Sequence, residues 1–144
     1  GSGEAIIKRI DLLNEEDNSI EVVSVGQAVE LRLVVRTTDA VPELVTGFMI
    51  KDRLGQVVFG TNTFHLKQVL HNLSANVDTT LSFKFQANLG PGTYSVSTAL
   101  HTKDTHVSKN YEWIDLALVF NVINTSKPEF IGSNWLSPSI EVLP

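Results

Sequence analysis

Cysteine is absent from all 144 residues, so no disulfide staples this chain. A domain of this length folds without one, and the absence fits a reducing compartment better than a secreted one. No apolar run is long enough to span a bilayer, and no secretory leader opens the sequence. A basic stripe is also missing. Eleven Lys and Arg are scattered singly against sixteen Asp and Glu, for a net charge of −5. That balance argues against a phosphate-neutralising surface for nucleic acid and against docking on anionic lipid.

Catalytic signatures are equally scarce. There is no Gly-x-x-x-x-Gly-Lys-Ser/Thr phosphate loop, no Gly-x-Ser-x-Gly elbow and no His-Glu-x-x-His pair. His101, Asp104 and His106 have a spacing that suits three metal ligands, but they fall at an expected strand end, where such residues are ordinarily solvated. The acidic turn Asn14 to Asn18 has no calcium-loop spacing. Asp104, Glu112 and Asp115 supply carboxylates of the kind that hydrolyse glycosides, yet they read better as surface acids on a hairpin. The expectation is a non-catalytic domain without metal or cofactor.

What the chain does have is alternation of period two. Segments 5–13 and 20–25 read as strands around the acidic turn. In 27–37, Val29, Leu31, Leu33 and Val35 face one way and Glu30, Arg32 and Arg36 the other. Pro42 marks a strand start. Segments 44–51 and 56–61 form a hairpin around Asp52-Arg53-Leu54-Gly55, where glycine is available for positive φ. Between 64 and 75 the alternation breaks. Leu66, Val69, Leu70 and Leu73 match a helical template, or else a loop pinned by apolar side chains. Strands resume at 79–87, 93–102 and 111–122. A polar stretch, 124–137, then leads to a last short strand at 139–143.

Eight to nine short strands separated by turns predict an all-β, immunoglobulin-like antiparallel sandwich. Gly1-Ser2-Gly3 reads as a cloning scar and 4–144 as one domain. The segment Leu89-Gly-Pro-Gly-Thr-Tyr94 has the form of a tyrosine corner, in which the ring enters the core and the hydroxyl returns to upstream backbone.

The candidate site is a face rather than a motif. If strands 44–51, 93–102 and 111–122 are sheet neighbours with Phe48, Ile50, Tyr94, Val96 and Leu100 inward, the outer face carries Gly47, Met49, Lys51, Ser95, Ser97, Ala99 and His101. The third strand adds Trp113, Asp115, Ala117 and Val119 to that face. A low floor rimmed by an indole, a carboxylate and an imidazole suits a sugar, with Trp113 stacking and Asp115, His101, Ser95 and Ser97 pairing with hydroxyls. Met49 and Lys51 border it. The alternative is that small residues admit a partner chain or a loop; alternation does not separate the two.

Phe48-Met-Ile-Lys-Asp-Arg-Leu-Gly-Gln-Val-Val-Phe-Gly-Thr-Asn-Thr63, Leu89 to Leu100 and Tyr111 to Val122 resemble, in order, three blocks of the C-terminal domains of Wzt-type proteins. Those proteins are the ATP-binding subunits of O-antigen polysaccharide ABC exporters. Gly26 and Gly132 also fit, and the resemblance spans nearly the whole chain after the scar. It implies a cytoplasmic domain at the inner face of the bacterial inner membrane, fused after a nucleotide-binding domain and working with a transmembrane exporter subunit. Its ligand would be the modified non-reducing terminus of the polysaccharide. The resemblance further implies a homodimer whose last strand is exchangeable between protomers. It carries over Gly60, Thr61, Asn62 and Thr63 as a family segment, with Thr61 and Asn62 as candidate sugar contacts or as residues that order the turn.

Overall fold

The computed structural model describes residues 3–101 and 110–144, except for the side chains of 110–113, 115 and 116. Among the described residues there are nine strands: β1 (Ala5–Leu13), β2 (Val22–Ser24), β3 (Ala28–Thr37), β4 (Val41–Asp52), β5 (Val57–Asn62), β6 (Leu70–Leu73), β7 (Val77–Gln86), β8 (Gly92–His101) and β9 (Asn110–Ile123). One sheet has the order β1-β3-β7. The other runs β2-β9-β8-β4-β5, with β6 joined to the first part of β4. Neighbours are antiparallel except β2, which lies parallel to β9. The expected all-β sandwich is the observed one. No helix among the described residues is long and apolar enough to cross a membrane.

Alternation puts the large side chains between the sheets. Leu31 pairs with Phe83 and Leu33 with Leu81, while Phe48, Ile50, Tyr94, Val96, Phe120 and Val122 arrive from the opposite sheet. Phe48 is the centre of an aromatic cluster, with its ring 5.0 Å from Phe83 and 6.0 Å from Phe85. A second, smaller cluster of Ala5, Val35, Val41, Leu44 and Leu100 closes the other end. Burying side chains of this kind contributes on the order of 1.5–3 kcal/mol each, which makes alternation decisive for the fold.

The turns follow local chemistry. Gly55 adopts φ +82°, and the Asp52 carboxylate accepts the amides of Leu54 and Gln56, both at 2.9 Å. The tyrosine corner is present. The buried Tyr94 hydroxyl donates to the Gly90 carbonyl at 2.8 Å, and burial, followed by the charge of Asp52, pushes the phenol above its ordinary value. A Cβ on Gly90 would collide with the Gly132 carbonyl, so the corner and the C-terminal segment pack backbone to backbone.

Two expectations need correction. Residues 64–75 form neither a helix nor a loop throughout. A turn leads into β6, where Leu73 pairs with Val41 and Leu70 with Leu44, and Leu70 and Leu73 pack on the second cluster. Their burial, which a helical period also satisfies, is achieved by adding a strand to an unusually long β4. The second correction is the last strand, expected at 139–143. The chain is held as far as Trp135, whose amide donates to the Asn88 carbonyl at 3.0 Å and whose ring lies 5.0 Å from Phe130. Beyond it, residues 136–144 form no strand with any of the described residues. Ile140 and Val142 are 92% and 89% exposed.

Two buried hydroxyl positions contrast usefully. Thr98 is fully buried and its hydroxyl has no hydrogen-bond partner among the described residues, whereas the Tyr94 hydroxyl is paired. Tyr94→Phe leaves the Gly90 carbonyl without its donor and is expected to lower stability by about 1–3 kcal/mol. Thr98→Val removes an unpaired polar atom and is expected to be neutral or stabilising by up to about 1 kcal/mol. Denaturant midpoints of the two variants check both signs.

Candidate functional site

Strands β9, β8, β4 and β5 carry the candidate site on their outward face, and the registers set its rows. Ser95 pairs with Lys51, Ser97 with Met49, Ala99 with Gly47 and His101 with Val45. On the far side of β4, Gly47 pairs with Asn62, Met49 with Gly60 and Lys51 with Val57. On the far side of β8, Ala99 pairs with Trp113 and Ser95 with Val119. One row therefore reads Asn62, Gly47, Ala99, Trp113 across four strands. From Val96 to Thr98, β8 advances two residues while its partners run from Leu118 to Ile114. The two extra residues of β9 keep the parity that alternation assigns and set Trp113, rather than Asp115, opposite Ala99. The side chains of Trp113 and Asp115 lie outside the described residues, as do Asp104, His106 and the Glu112 side chain.

The floor is low because of the residues in these rows. Ser97 is 1% exposed and Ser95 8%, so both lie at the bottom of the face rather than standing above it. A Cβ on Gly60 would come within 2.9 Å of the Met49 side chain, and one on Gly47 within 3.0 Å of the Asn62 Cβ. Glycine at 60 lets Met49 lie across β5, and glycine at 47 lets the Asn62 edge close down onto the sheet. The result is an open depression of about 400 Å³ lined by Met49, Gly60, Asn62, His65, Ser97 and His101, with Gly47, Thr61 and Ala99 among its other walls. No Asp or Glu lines it among the described residues.

The wall above Asn62 is built by hydrogen bonds. Asn62 Oδ1 accepts the His65 amide at 2.7 Å. Thr63 is buried, its amide donating to the Thr46 carbonyl and its hydroxyl accepting the Thr46 amide. Thr63 thus fastens the loop to the edge of β4, and Asn62 turns His65 toward the depression. The Asn-Thr segment orders the turn and borders the site at once. His65 is the lining residue that periodicity passed over, because it sits where the alternation breaks. The Asn62–His65 spacing, a side-chain acceptor three residues before an amide, was the available signal.

A second depression of about 440 Å³ adjoins the first and shares Ser97 with it. It is lined by Lys51, Arg53, Thr93, Ser95 and Val119 on the same face. The expected site residues therefore divide: Met49, Thr61, Asn62 and His101 surround one depression, Lys51 and Ser95 the other, and Ser97 joins them. The two ends of the face also differ. Val45 shares the outward row of His101 yet is 0% exposed, so the face is covered at that end. At the opposite end Val119 is 48% exposed.

Burial lowers the pKa of His101 from its ordinary 6.5. A neutral imidazole offers one donor and one acceptor to a hydroxylated ligand. Because the folded-state value is depressed, the unfolded chain binds the proton more readily, and His101 costs stability as pH falls below about 6.5. An NMR titration of the His101 ring is expected to give a midpoint below 6.5, with His101→Gln losing less stability than the parent on acidification. A midpoint at or above the ordinary value contradicts the burial.

A family model described as the Wzt C-terminal domain matches residues 1–136. Among solved structures, one described as the crystal structure of the C-terminal domain of wzt superposes with a TM-score of 0.87 at 19% identity, covering 99% of this chain and 86% of that one. Two weaker likenesses are an alkylpurine DNA glycosylase AlkC of Pseudomonas fluorescens and a β-glucosidase of Listeria innocua. The first has a TM-score of 0.46 at 13% identity and covers 83% of this chain and 30% of that one. The second has a TM-score of 0.44 at 9% identity and covers 83% and 16%. No curated protein sequence matches.

Proposed function

The chain belongs to the Wzt C-terminal domain family, and from that premise we propose that it binds the modified non-reducing end of an O-antigen polysaccharide and so couples chain completion to ABC export. The observation that carries this reading is the open depression floored by Gly47, Gly60, Ser97 and Ala99 and bordered by Asn62, His65 and His101. Its size suits a saccharide unit, and its polar groups converge on it as in other small-ligand sites.

In this reading the floor sets depth and the rim sets recognition. Ser95 and Ser97 keep the face low, His101 and Asn62 exchange hydrogen bonds with hydroxyls, and Trp113, on the row of Ala99, stacks on the C–H face of a ring. Asp115 and Lys51 belong to the outer border. Such a domain acts in the cytoplasm beside the exporter, after a fused nucleotide-binding domain, and needs no cofactor.

Two substitutions test it by isothermal titration with the O-polysaccharide of the strain that encodes the chain. Ala99→Phe fills the depression from its floor and is expected to abolish binding while the melting temperature stays close to the parent's. Trp113→Ala removes the platform, expected to contribute on the order of 1–3 kcal/mol by analogy with bases on aromatics, a loss of roughly 5- to 150-fold in affinity. Undiminished binding by Ala99→Phe refutes the placement, and no binding by the parent favours a protein-interaction domain.

The C-terminal tail supports a homodimer in the same reading. Leu136, Ile140, Val142 and Leu143 are 73–92% exposed on a segment with no partner strand among the described residues. Exchange between two copies would give each tail a ladder and cover its apolar side chains. Deleting residues 138–144 is expected to yield a monomer by light scattering where the full chain is a dimer. A dimer that survives the deletion removes the tail from the interface.

A further inference from the structure

We infer that the outer face holds at least two consecutive saccharide units, the depression beside Lys51, Ser95 and Val119 being a second subsite for the unit next to the chain end. This rests on the glycan-binding reading above and goes beyond it by assigning direction and extent to the bound chain. Three observations carry it.

The first is continuity. The two depressions share Ser97, lie on one sheet face and follow the axis of β4 and β8. From the Gly47 row to the Lys51 row is four residues of strand, about 13 Å at strand rise, which exceeds a single pyranose ring. A ligand confined to one unit leaves half of this trough unfilled.

The second is asymmetry. Val45 is fully covered although it shares the outward face, so the strand face beyond the His101 row is closed to a ligand. At the other end Val119 is 48% exposed, and the Asp52–Gly55 turn borders the second depression. A chain terminus fits the closed end, and the remainder of a long polymer leaves over Lys51, Ser95 and Val119. The His65 wall stands beside the closed end as well.

The third is the chemistry of the second lining. Val119 offers an apolar surface for the C–H face of a ring, and the exposed Arg53 offers guanidinium donors for hydroxyls. The Thr93 hydroxyl donates to Asn121 Oδ1 at 2.7 Å, which leaves its oxygen lone pairs facing solvent as acceptors. The mixture of one apolar platform with a few fixed polar groups repeats that of the first depression.

The experiment is a length series. O-polysaccharide released from the lipopolysaccharide of the encoding strain is partially hydrolysed, and fragments of one to six units that retain the native non-reducing end are titrated into the full chain. Affinity is expected to rise at least tenfold from one unit to three and then to level off. Val119→Glu and Arg53→Ala, both at exposed positions and checked for an unchanged melting temperature, are expected to reduce the longer fragments to the affinity of the single unit and to leave that unit's own binding unchanged. Ala99→Phe is expected to abolish all lengths. Affinity independent of length, or no effect of the Val119 and Arg53 changes, overturns the second subsite alone, provided Ala99→Phe still abolishes binding. A parent chain that binds no fragment overturns both the subsite and the glycan reading beneath it.

Discussion

The register between β4 and β8 decides what each face of the larger sheet can be. With Ser97 opposite Met49 and Ala99 opposite Gly47, the small residues of both strands fall on one side and Phe48, Ile50, Val96 and Leu100 on the other. A shift of one residue would turn Val96 and Leu100 to solvent and bury serines against Phe83. The penalty for exposing such side chains, on the order of 1.5–3 kcal/mol each, makes the register a consequence of the core. The low outer floor is therefore fixed by the same side chains that hold the sandwich together, and it needs no separate stabilisation.

Around that sheet the molecule divides rigid support from adaptable border. Tyr94 ties β8 to Gly90, and the close approach of Gly90 to Gly132 ties that corner to the segment ending at Trp135. Thr63 fastens the Asn62–Gln68 turn to β4 through two backbone contacts. The first depression thus has a floor of paired strands and a wall held by backbone hydrogen bonds, so its shape is set before any ligand arrives. The opposite sheet is built differently. Its outer surface carries charge pairs such as Lys8 and Arg36 with Asp78, at 2.8 and 3.0 Å, which hold that carboxylate below its ordinary value, Lys8 first and Arg36 second. Exposed pairs of this kind contribute little stability, and the depression on that side, about 590 Å³, is bordered by the acidic residues Glu15, Asp17 and Glu30.

How far this was readable from sequence varies element by element. Strands β3, β7 and β8 were legible because one side is buried and the period of two is clean: Val29 through Val35, Leu81 through Phe85, Tyr94 through Leu100. Gly55 and the Gly90–Tyr94 corner were legible because positive φ and a buried phenol leave few other uses for those residues. The low face was legible as a face, since alternation gives sides, but its two depressions were not, since depth depends on packing across strands. His65 was missed because it stands on a turn whose conformation is set by Asn62 and Thr63, not by periodicity. Strand β6 was hidden because Leu66, Val69, Leu70 and Leu73 satisfy a helical spacing as well as a strand on β4. The last strand was expected from the short apolar pattern at 139–143 and from the resemblance, and among the described residues of a single chain it has no strand to pair with.

The central claim is that the low outer face of β5-β4-β8-β9 is where the polysaccharide lies. Amide chemical-shift mapping of the 15N-labelled chain during titration with the strain's O-polysaccharide tests it most directly. Shifts concentrated at Gly47, Gly60, His65, Ser97, Ala99 and His101, with β1, β3 and β7 unmoved, are the predicted result. Shifts centred on the β1-β3-β7 sheet, or none at saturating polysaccharide, would contradict the account.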